Sequence, residues 1–267
     1  MGDSERGRGE SLPRLVGIMQ RLLGPGGCPW DRAQTFESLR PYVIEEAFEV
    51  VDAIDGGSAD HLREELGDLL MQFVFLSELA RREGWFGPDD AIAGICDKLE
   101  RRHPHVFGDA DAGDAATVER SWEAIKRAEK GGRGVLEGVP VAMPALSRAV
   151  RLGEKAARVG YDWPDAAGAR AKVDEELAEL DRAVVDGDDD QAARELGDLL
   201  FALSSWARKR RIDPEAALRG ALRRFSARFE AVEARAAREG VGLESLDEAE
   251  LDRRWEQAKR ALTPPEE

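Results

Sequence analysis

Acidic side chains recur in this sequence at one fixed spacing. Glu46 and Glu49 stand three residues apart, and so do Glu65 and Asp68 in the string ELGDLL. The same string and spacings return 130 residues later, at Glu176, Glu179, Glu195 and Asp198. Residues three apart lie on one face of a helix, so each pair presents its carboxylates side by side. Such all-oxygen ligands select hard cations, Mg²⁺ in the first place and Mn²⁺ as a substitute.

When the two acid-bearing helices of a module pack against each other, their four carboxylates converge. The repulsion between these charges indicates what the site must bind. Two like charges about 4 Å apart repel by roughly 4 kcal/mol at an effective dielectric of about 20. Four converging carboxylates are therefore unfavourable unless protons or a cation neutralise them. One acid pair on a helix is usually a solvated face, but two sets at an identical offset favour a metal site. A di-iron site is disfavoured, because it needs Glu-x-x-His and His61 precedes a glutamate in the reverse order.

Basic and aromatic residues recur in pairs four residues apart, which places both members of a pair on one helix face. In chain order the pairs are Lys98 and Arg102, Trp122 and Lys126, Arg224 and Arg228, and Trp255 and Lys259. Cations suit phosphate oxygens, and an indole can stack on a base. Together with the acids, these residues describe a site for a nucleotide polyphosphate.

The elements that must position these residues are predicted to be helices. Leu62, Leu66 and Leu69 keep helical spacing beside the second acid pair and are expected to pack against the preceding helix. The turn sequences DGGSAD and DGDDD separate the two acid-bearing helices of each copy, which predicts short antiparallel hairpins. We expect an all-α fold of two tandem helical modules, residues 1–133 and 134–267. Each module is expected to be a bundle of four or five helices, with the Gly-rich stretch KGGRGVLEGVP at the seam.

The composition narrows the class of protein. A formal net charge of −15 over 267 residues argues against a nucleic-acid binder, which usually carries a basic face. The N-terminal residues lack the apolar stretch of a signal peptide, and the run LLMQFVFL is too short to span a bilayer. Cys28 and Cys96 form no CxxC pair. We therefore expect a cytoplasmic protein without a nucleic-acid or membrane partner.

With these motifs the sequence resembles the MazG family of nucleoside triphosphate pyrophosphohydrolases, within the all-α NTP pyrophosphatase superfamily. GCPWD, EEAFEV, ELGDLLMQ, KLERRHPHVF and SWEAIK are similar to the first module of two-module MazG proteins. VGYDW, EELAEL, ELGDLLFA and RRFSARF are similar to the second. The resemblance implies Mg²⁺-dependent cleavage of NTPs and dNTPs to the monophosphate and pyrophosphate, by helical modules that pair as homodimers.

The resemblance also implies roles for individual residues. It assigns the eight repeated acids to metal binding. It assigns four residues to the nucleotide: Arg224, Arg228, Trp255 and Lys259. The internal repeat extends this role to the four first-module counterparts given above. Arg224 departs from the family pattern, in which we expect lysine; arginine keeps the charge but binds phosphate as a planar fork.

The implied mechanism is attack of a metal-activated water on the α-phosphorus, with pyrophosphate as the leaving group. Glu45 and Glu175 are the first acids of each Glu-Glu-x-x-Glu. Either they orient or deprotonate this water, or they face solvent, and the sequence favours neither reading.

Two other functions stay open. The first is a narrower pyrophosphohydrolase of the same superfamily, acting on dUTP or dCTP or on phosphoribosyl-ATP, which the two-module layout disfavours. The second is a non-catalytic helical binding protein whose acid pairs are structural. It predicts no nucleotide hydrolysis with any divalent metal.

Overall fold

The computed structural model describes residues 11–108, 114, 117, 118, 122, 125 and 134–262. Across these residues the protein is helical and contains no β-strand. The chain divides into two compact units, Met1–Gly131 and Gly132–Glu267. None of the described helices combines the length and the apolar character that crossing a bilayer requires. The prediction of an all-α protein with two tandem helical modules is confirmed.

Among the helices of the first unit whose bounds are described, four are long and two are single turns. They are α1 (Ser11–Leu23), α2 (Pro29–Arg32), α3 (Phe36–Gly56), α4 (Ala59–Arg82), α5 (Pro88–Arg102) and α6 (Pro104–Phe107). The second unit contains five α-helices in its described residues. They are α7 (Ala145–Ala157), α8 (Ala166–Asp186), α9 (Asp189–Lys209), α10 (Pro214–Glu239) and α11 (Glu248–Leu262), with a 3₁₀ turn at Leu243–Ser245.

Each unit is built on a hairpin whose turn is set by local sequence. Gly57 ends α3 in the left-handed region at φ 68°, and the Ser58 side chain then caps α4 by accepting a hydrogen bond from the His61 N–H. Gly187 ends α8 at φ 71°, and Asp188 caps α9 in the same way. Glycine tolerates this backbone conformation and serine or aspartate satisfies the first N–H groups of the next helix. The predicted hairpins therefore form at the two expected turns.

The apolar core of the first unit lies at one end of its hairpin. Met19 and Leu23 of α1 pack against Val74, Phe75 and Leu79 in the C-terminal half of α4. The acid-bearing N-terminal half of α4 is therefore not covered by α1.

The leucine stripe beside the acids differs from expectation. Leu62 and Leu69 are half-buried, but Leu66 is 49% exposed, and so is its counterpart Leu196 at 48%. Two helices crossing in a hairpin cover one side of each other, and α1 reaches only the far half of α4. Part of the stripe is left on the surface in both modules.

Equivalent positions of the two modules carry opposite charges, buried at Glu78 and half-buried at Arg208. Glu78 is 1% exposed and accepts hydrogen bonds from Gln20 at 3.0 Å and from the Arg81 guanidinium at 2.8 Å. The equivalent residue 130 positions later is Arg208, which pairs with Asp162 at 2.5 Å. Both charges are compensated as buried charges must be, but by partners of opposite sign.

Candidate functional site

The first acidic cluster lies where α3 and α4 face each other. Glu46 and Glu49 come from α3 and Glu65 from α4, and one oxygen from each lies within 4.8 Å of the others. Glu65 is 8% exposed, so this charge is largely withdrawn from water. The hairpin turn at Gly57 is what returns the chain antiparallel and brings the two acid pairs to one level.

The second cluster repeats this arrangement on α8 and α9. Carboxylate oxygens of Glu176, Glu179 and Glu195 lie within 4.8 Å of one another. Glu176 is 5% exposed and Glu195 is 9% exposed. Each hairpin thus brings together three of its four predicted metal ligands.

The fourth acid of each set lies beside its cluster. The negative charge of Asp68 contributes to the electrostatic environment of Glu46. Asp198 lines a cavity together with Glu176. Both aspartates are one turn further along their helix than the glutamate of the cluster.

Burial and crowding of charge affect the pKa of Glu46. Burial raises the pKa of this carboxyl above its ordinary value, and the neighbouring charges of Asp68 and Glu49 raise it further. A hydrogen bond from Gln72 Nε2 to Glu46 Oε1, at 3.4 Å, opposes the shift without cancelling it. The cluster therefore favours neutralisation, which a proton or a cation can supply.

The oxygen of the same amide gives an independent indication of a ligand. Gln72 is 5% exposed, and its Oε1 atom is buried without a hydrogen-bond partner in the described part of the chain. Buried polar atoms are normally satisfied. An unsatisfied carbonyl oxygen on an amide that contacts Glu46 fits a hard cation, which takes oxygen ligands.

Neighbouring side chains that the motif search did not single out also contact the clusters. His61 Nε2 lies 2.9 Å from Glu65 Oε1, and the Gln191 amide donates to Glu195. Lys172 Nζ lies 2.5 Å from Glu176 and 2.9 Å from Glu175, and these acids raise the pKa of the lysine. The signal for Lys172 was present in the sequence, because residues three and four apart on a helix are neighbours.

The two candidate water-activating acids are both on the surface. Glu45 is exposed on α3. The Glu175 side chain is 57% exposed and shares the Lys172 ammonium with Glu176. Neither carboxylate belongs to the three-residue clusters.

The basic residues lie on other helices than the acids. Lys98 is exposed on α5, and the Arg102 guanidinium lies 5.5 Å from the centre of the Trp122 ring. Lys126 lies outside the described residues. Arg102 and Trp122, predicted as members of separate pairs, are thus brought into contact.

In the second unit the predicted nucleotide contacts occupy α10 and α11. Arg224 is exposed and Arg228 half-buried on α10. The Trp255 ring of α11 packs 5.2 Å from the Phe225 ring of α10, and Lys259 Nζ lies 3.3 Å from Glu256. This contact holds the α11 residues next to α10, while the acids are on α8 and α9.

A cavity of about 500 Å³ adjoins the second acidic cluster. It lies where the loop at residues 160–164 meets α8 and α9. Its apolar wall contains Tyr161, Trp163 and Phe201, and its polar wall contains Lys172, Glu176 and Asp198.

Two family models match the chain. The MazG nucleotide pyrophosphohydrolase domain matches residues 34–107, and the phosphoribosyl-ATP pyrophosphohydrolase model matches residues 154–224. The first segment contains the first acidic cluster, and the second segment contains the second cluster and the cavity.

Relatives extend the likeness along most of the chain. The protein is 44% identical over 247 residues to the nucleoside triphosphate pyrophosphohydrolase/pyrophosphatase MazG of Thermotoga maritima, a match that covers 92% of this chain and 94% of that protein. It is 43% identical over 257 residues to the nucleoside triphosphate pyrophosphohydrolase of Escherichia coli K12, covering 93% of this chain and 97% of that one. The chain therefore belongs to the MazG family of nucleoside triphosphate pyrophosphohydrolases, a family of hydrolases.

Proposed function

We propose that this protein hydrolyses nucleoside and deoxynucleoside triphosphates to the monophosphate and pyrophosphate, using Mg²⁺ held by its acidic clusters. The observation that carries the proposal is the three-carboxylate cluster that recurs on an antiparallel hairpin in each module. The names of the Thermotoga maritima and Escherichia coli relatives, both nucleoside triphosphate pyrophosphohydrolases, support the proposal.

The residues present fit a hard divalent cation. In the first module the donors are Glu46, Glu49 and Glu65, with Asp68 and the unsatisfied Gln72 oxygen beside them. In the second they are Glu176, Glu179, Glu195 and Asp198. When bound, Mg²⁺ supplies positive charge to the triphosphate oxygens and lowers the pKa of a coordinated water; Mn²⁺ is expected to substitute.

The side chains of the protein then bind and orient the substrate. Phosphate oxygens are proposed to bind to five basic residues, which are Lys98, Arg102, Arg224, Arg228 and Lys259. Arg224 would bind them through its planar guanidinium. A water oxygen attacks the α-phosphorus in line, and the bond from that phosphorus to the bridging oxygen breaks. Pyrophosphate leaves with its charge offset by the basic residues. Glu45 and Glu175 are the proposed acceptors of the water proton, because they are solvent-accessible carboxylates next to the metal ligands in sequence.

A narrower substrate is the second candidate, and one observation favours it. The model that matches residues 154–224 is that of phosphoribosyl-ATP pyrophosphohydrolases. Phosphoribosyl-ATP therefore belongs in any substrate panel, together with dUTP and dCTP.

Product analysis tests the proposal. The purified protein is incubated with Mg²⁺ and a panel of NTPs, dNTPs and phosphoribosyl-ATP, and pyrophosphate is resolved from orthophosphate. Monophosphate with pyrophosphate is the expected result, and the rank order gives the preferred substrate. Orthophosphate with diphosphate would mean that the wrong bond has been assigned. Absence of turnover with Mg²⁺ and Mn²⁺ would support the binding-protein alternative.

The protein is also proposed to act as a homodimer. Large apolar side chains are exposed at equivalent positions of the two hairpins: Leu66 and Leu196 at 49% and 48%, and Leu70 and Leu200 at 42% and 45%. Leu196, Leu200 and Leu203 are spaced along one face of α9. Repeated exposed leucines of this kind mark a surface that association covers.

A further inference from the structure

We propose that the cavity beside the second acidic cluster is a nucleobase-binding site, built from the aromatic residues Tyr161, Trp163 and Phe201. The inference rests on the proposed function and adds to it further aromatic residues, besides Trp255, that contact the base. It also assigns this subsite to the second module alone.

The size and lining of the cavity suit a planar aromatic ligand. Its volume of about 500 Å³ lies within the range of ordinary small-molecule sites, roughly 300–1,000 Å³. Three aromatic rings and Pro164 form its apolar wall. Aromatic side chains bind nucleobases by stacking, a contact that every base can make.

Trp163, one of the three aromatic residues of the wall, is held in place before any ligand binds. Asp162, between the two aromatic residues of the loop, pairs with Arg208 at 2.5 Å and with Lys209 at 2.6 Å. Lys209 also donates to the Trp163 carbonyl oxygen. The Trp163 ring packs against the first turn of α8, where a Cβ atom added to Gly168 would lie 3.4 Å from it. A site fixed in this way loses little conformational entropy on binding.

The position of the cavity matches the geometry of a nucleotide. Glu176 belongs both to the acidic cluster and to the cavity wall, and Asp198 lines the same wall. A triphosphate held at the cluster therefore has its nucleoside end next to the aromatic residues. Lys172 stands between the two regions and gives hydrogen bonds to Glu175 and Glu176. An ammonium has three donors, so the third can meet an oxygen or ring nitrogen of the nucleoside.

The first module keeps Trp30 at the position of Trp163 but lacks the other two aromatic residues of this wall. Aligned on Trp30 and Trp163, the repeat places Cys28 where the second module has Tyr161. Aligned on ELGDLL, it places Met71 opposite Phe201 and Tyr42 opposite Lys172. Pro29 replaces the anchoring Asp162, and the segment forms the helical turn Pro29–Arg32 instead of an open loop.

The test measures how much of the substrate affinity depends on the base. The variant Tyr161→Ala/Phe201→Ala is compared with the matched first-module variant Cys28→Ala, both in a Glu46→Gln/Glu49→Gln background that removes the first cluster. Tyr161 and Phe201 are 82% and 41% exposed, so their truncation leaves the buried core intact. Each protein is assayed with the preferred NTP and with ribose 5-triphosphate, which has no base.

A rise in KM of about tenfold for the NTP is expected from the lost stacking, with kcat nearly unchanged. KM for ribose 5-triphosphate should stay constant, and Cys28→Ala should match its parent on both substrates. An unchanged NTP KM, or an equal rise for the base-free substrate, would overturn the proposal.

Binding of the nucleoside monophosphate by calorimetry separates this inference from the proposed activity. The background protein could fail to release pyrophosphate and still bind the monophosphate. If the Tyr161→Ala/Phe201→Ala variant then binds the monophosphate about tenfold more weakly, the base-binding site is supported and the proposed activity of this module is rejected. Equal binding by both proteins would reject the subsite whatever the activity.

Discussion

The Lys172 ammonium lies within ion-pair distance of Glu175 and Glu176. The equivalent residue of the first module is Tyr42, a phenol in place of the ammonium. A fixed positive charge offsets part of the repulsion within the second cluster. The two clusters, built from the same acids, therefore present different net charges to a cation.

Removing the positive charge at Lys172 and introducing one at Tyr42 are predicted to shift the metal affinity of the two clusters in opposite directions. Lys172→Met should tighten Mn²⁺ binding at the second cluster by roughly tenfold, and Tyr42→Lys should weaken binding at the first by a similar factor, because a unit charge about 4 Å away is worth at least about 1 kcal/mol. Mn²⁺ titration followed by electron paramagnetic resonance measures both changes. Weaker binding in Lys172→Met would show that the lysine organises the acids instead of competing with the cation.

Removal of two ligands is predicted to inactivate a module without unfolding it. Glu176→Gln/Glu179→Gln keeps the volume of both side chains but removes two carboxylates from the second cluster, so Mg²⁺-dependent pyrophosphate release by that module should be lost. Glu46→Gln/Glu49→Gln is the matched variant of the first cluster. Circular dichroism should show unchanged helicity in both.

Comparison of the two variants also shows how much of the activity each module contributes. Full activity in Glu176→Gln/Glu179→Gln would remove the second module from catalysis. Full activity in both variants would reject the metal-binding role of the glutamates.

The acids of the site are predictable from sequence because their positions depend on local geometry. A spacing of three residues on a helix and a short turn at Gly57 or Gly187 suffice to place Glu46 near Glu65, or Glu176 near Glu195. The roles of Gln72 and Gln191 are less accessible, since amides are common on helices and only the packed side chains show which acid each one contacts. Trp122 likewise pairs with Arg102 across 20 residues, which no helical spacing predicts.

At the scale of elements, the loop at residues 160–164 depends on contacts distant in sequence. Asp162 meets Arg208 across 46 residues. Burial alone would raise the pKa of the Asp162 carboxyl, but hydrogen bonds and charges from Arg208 and Lys209 outweigh burial and hold it below the ordinary value of 3.8. The helices and hairpins follow from periodicity and turn residues. This loop, and with it the cavity, depends on the long-range ion pairs of Asp162 with Arg208 and Lys209, which periodicity does not encode.

Asp162→Asn is predicted to destabilise the second module in a pH-dependent way. A depressed pKa in the folded state gives stability that is present above pH 3.8 and is lost as the pH falls through the folded value. The variant should lose about 1–3 kcal/mol at pH 7, since it leaves Arg208 without its counter-charge. In thermal melts from pH 7 down to pH 3, the difference in melting temperature between wild type and variant should decrease as the pH falls. A difference in melting temperature that does not change with pH would mean that Asp162 stabilises the module by packing and not by its charge.

At the scale of the whole molecule, the exposed leucines of the two hairpins predict self-association. Leu70→Arg/Leu200→Arg places charges on both stripes and should give the monomer mass of 29.4 kDa by light scattering, while the wild type should give twice that value. Val141 is 80% exposed but lies outside the stripes, so Val141→Arg serves as the control. A wild-type protein that is already monomeric would contradict the proposed assembly.

The opposite charges at the equivalent positions Glu78 and Arg208 have a genetic consequence. A crossover that placed Arg208 at position 78 would bury a guanidinium beside Arg81, where the native glutamate is 1% exposed. An uncompensated buried charge costs several kcal/mol, about 3–5. Hybrids of the two copies would therefore fold poorly, which favours their inheritance as separate modules free to diverge in chemistry.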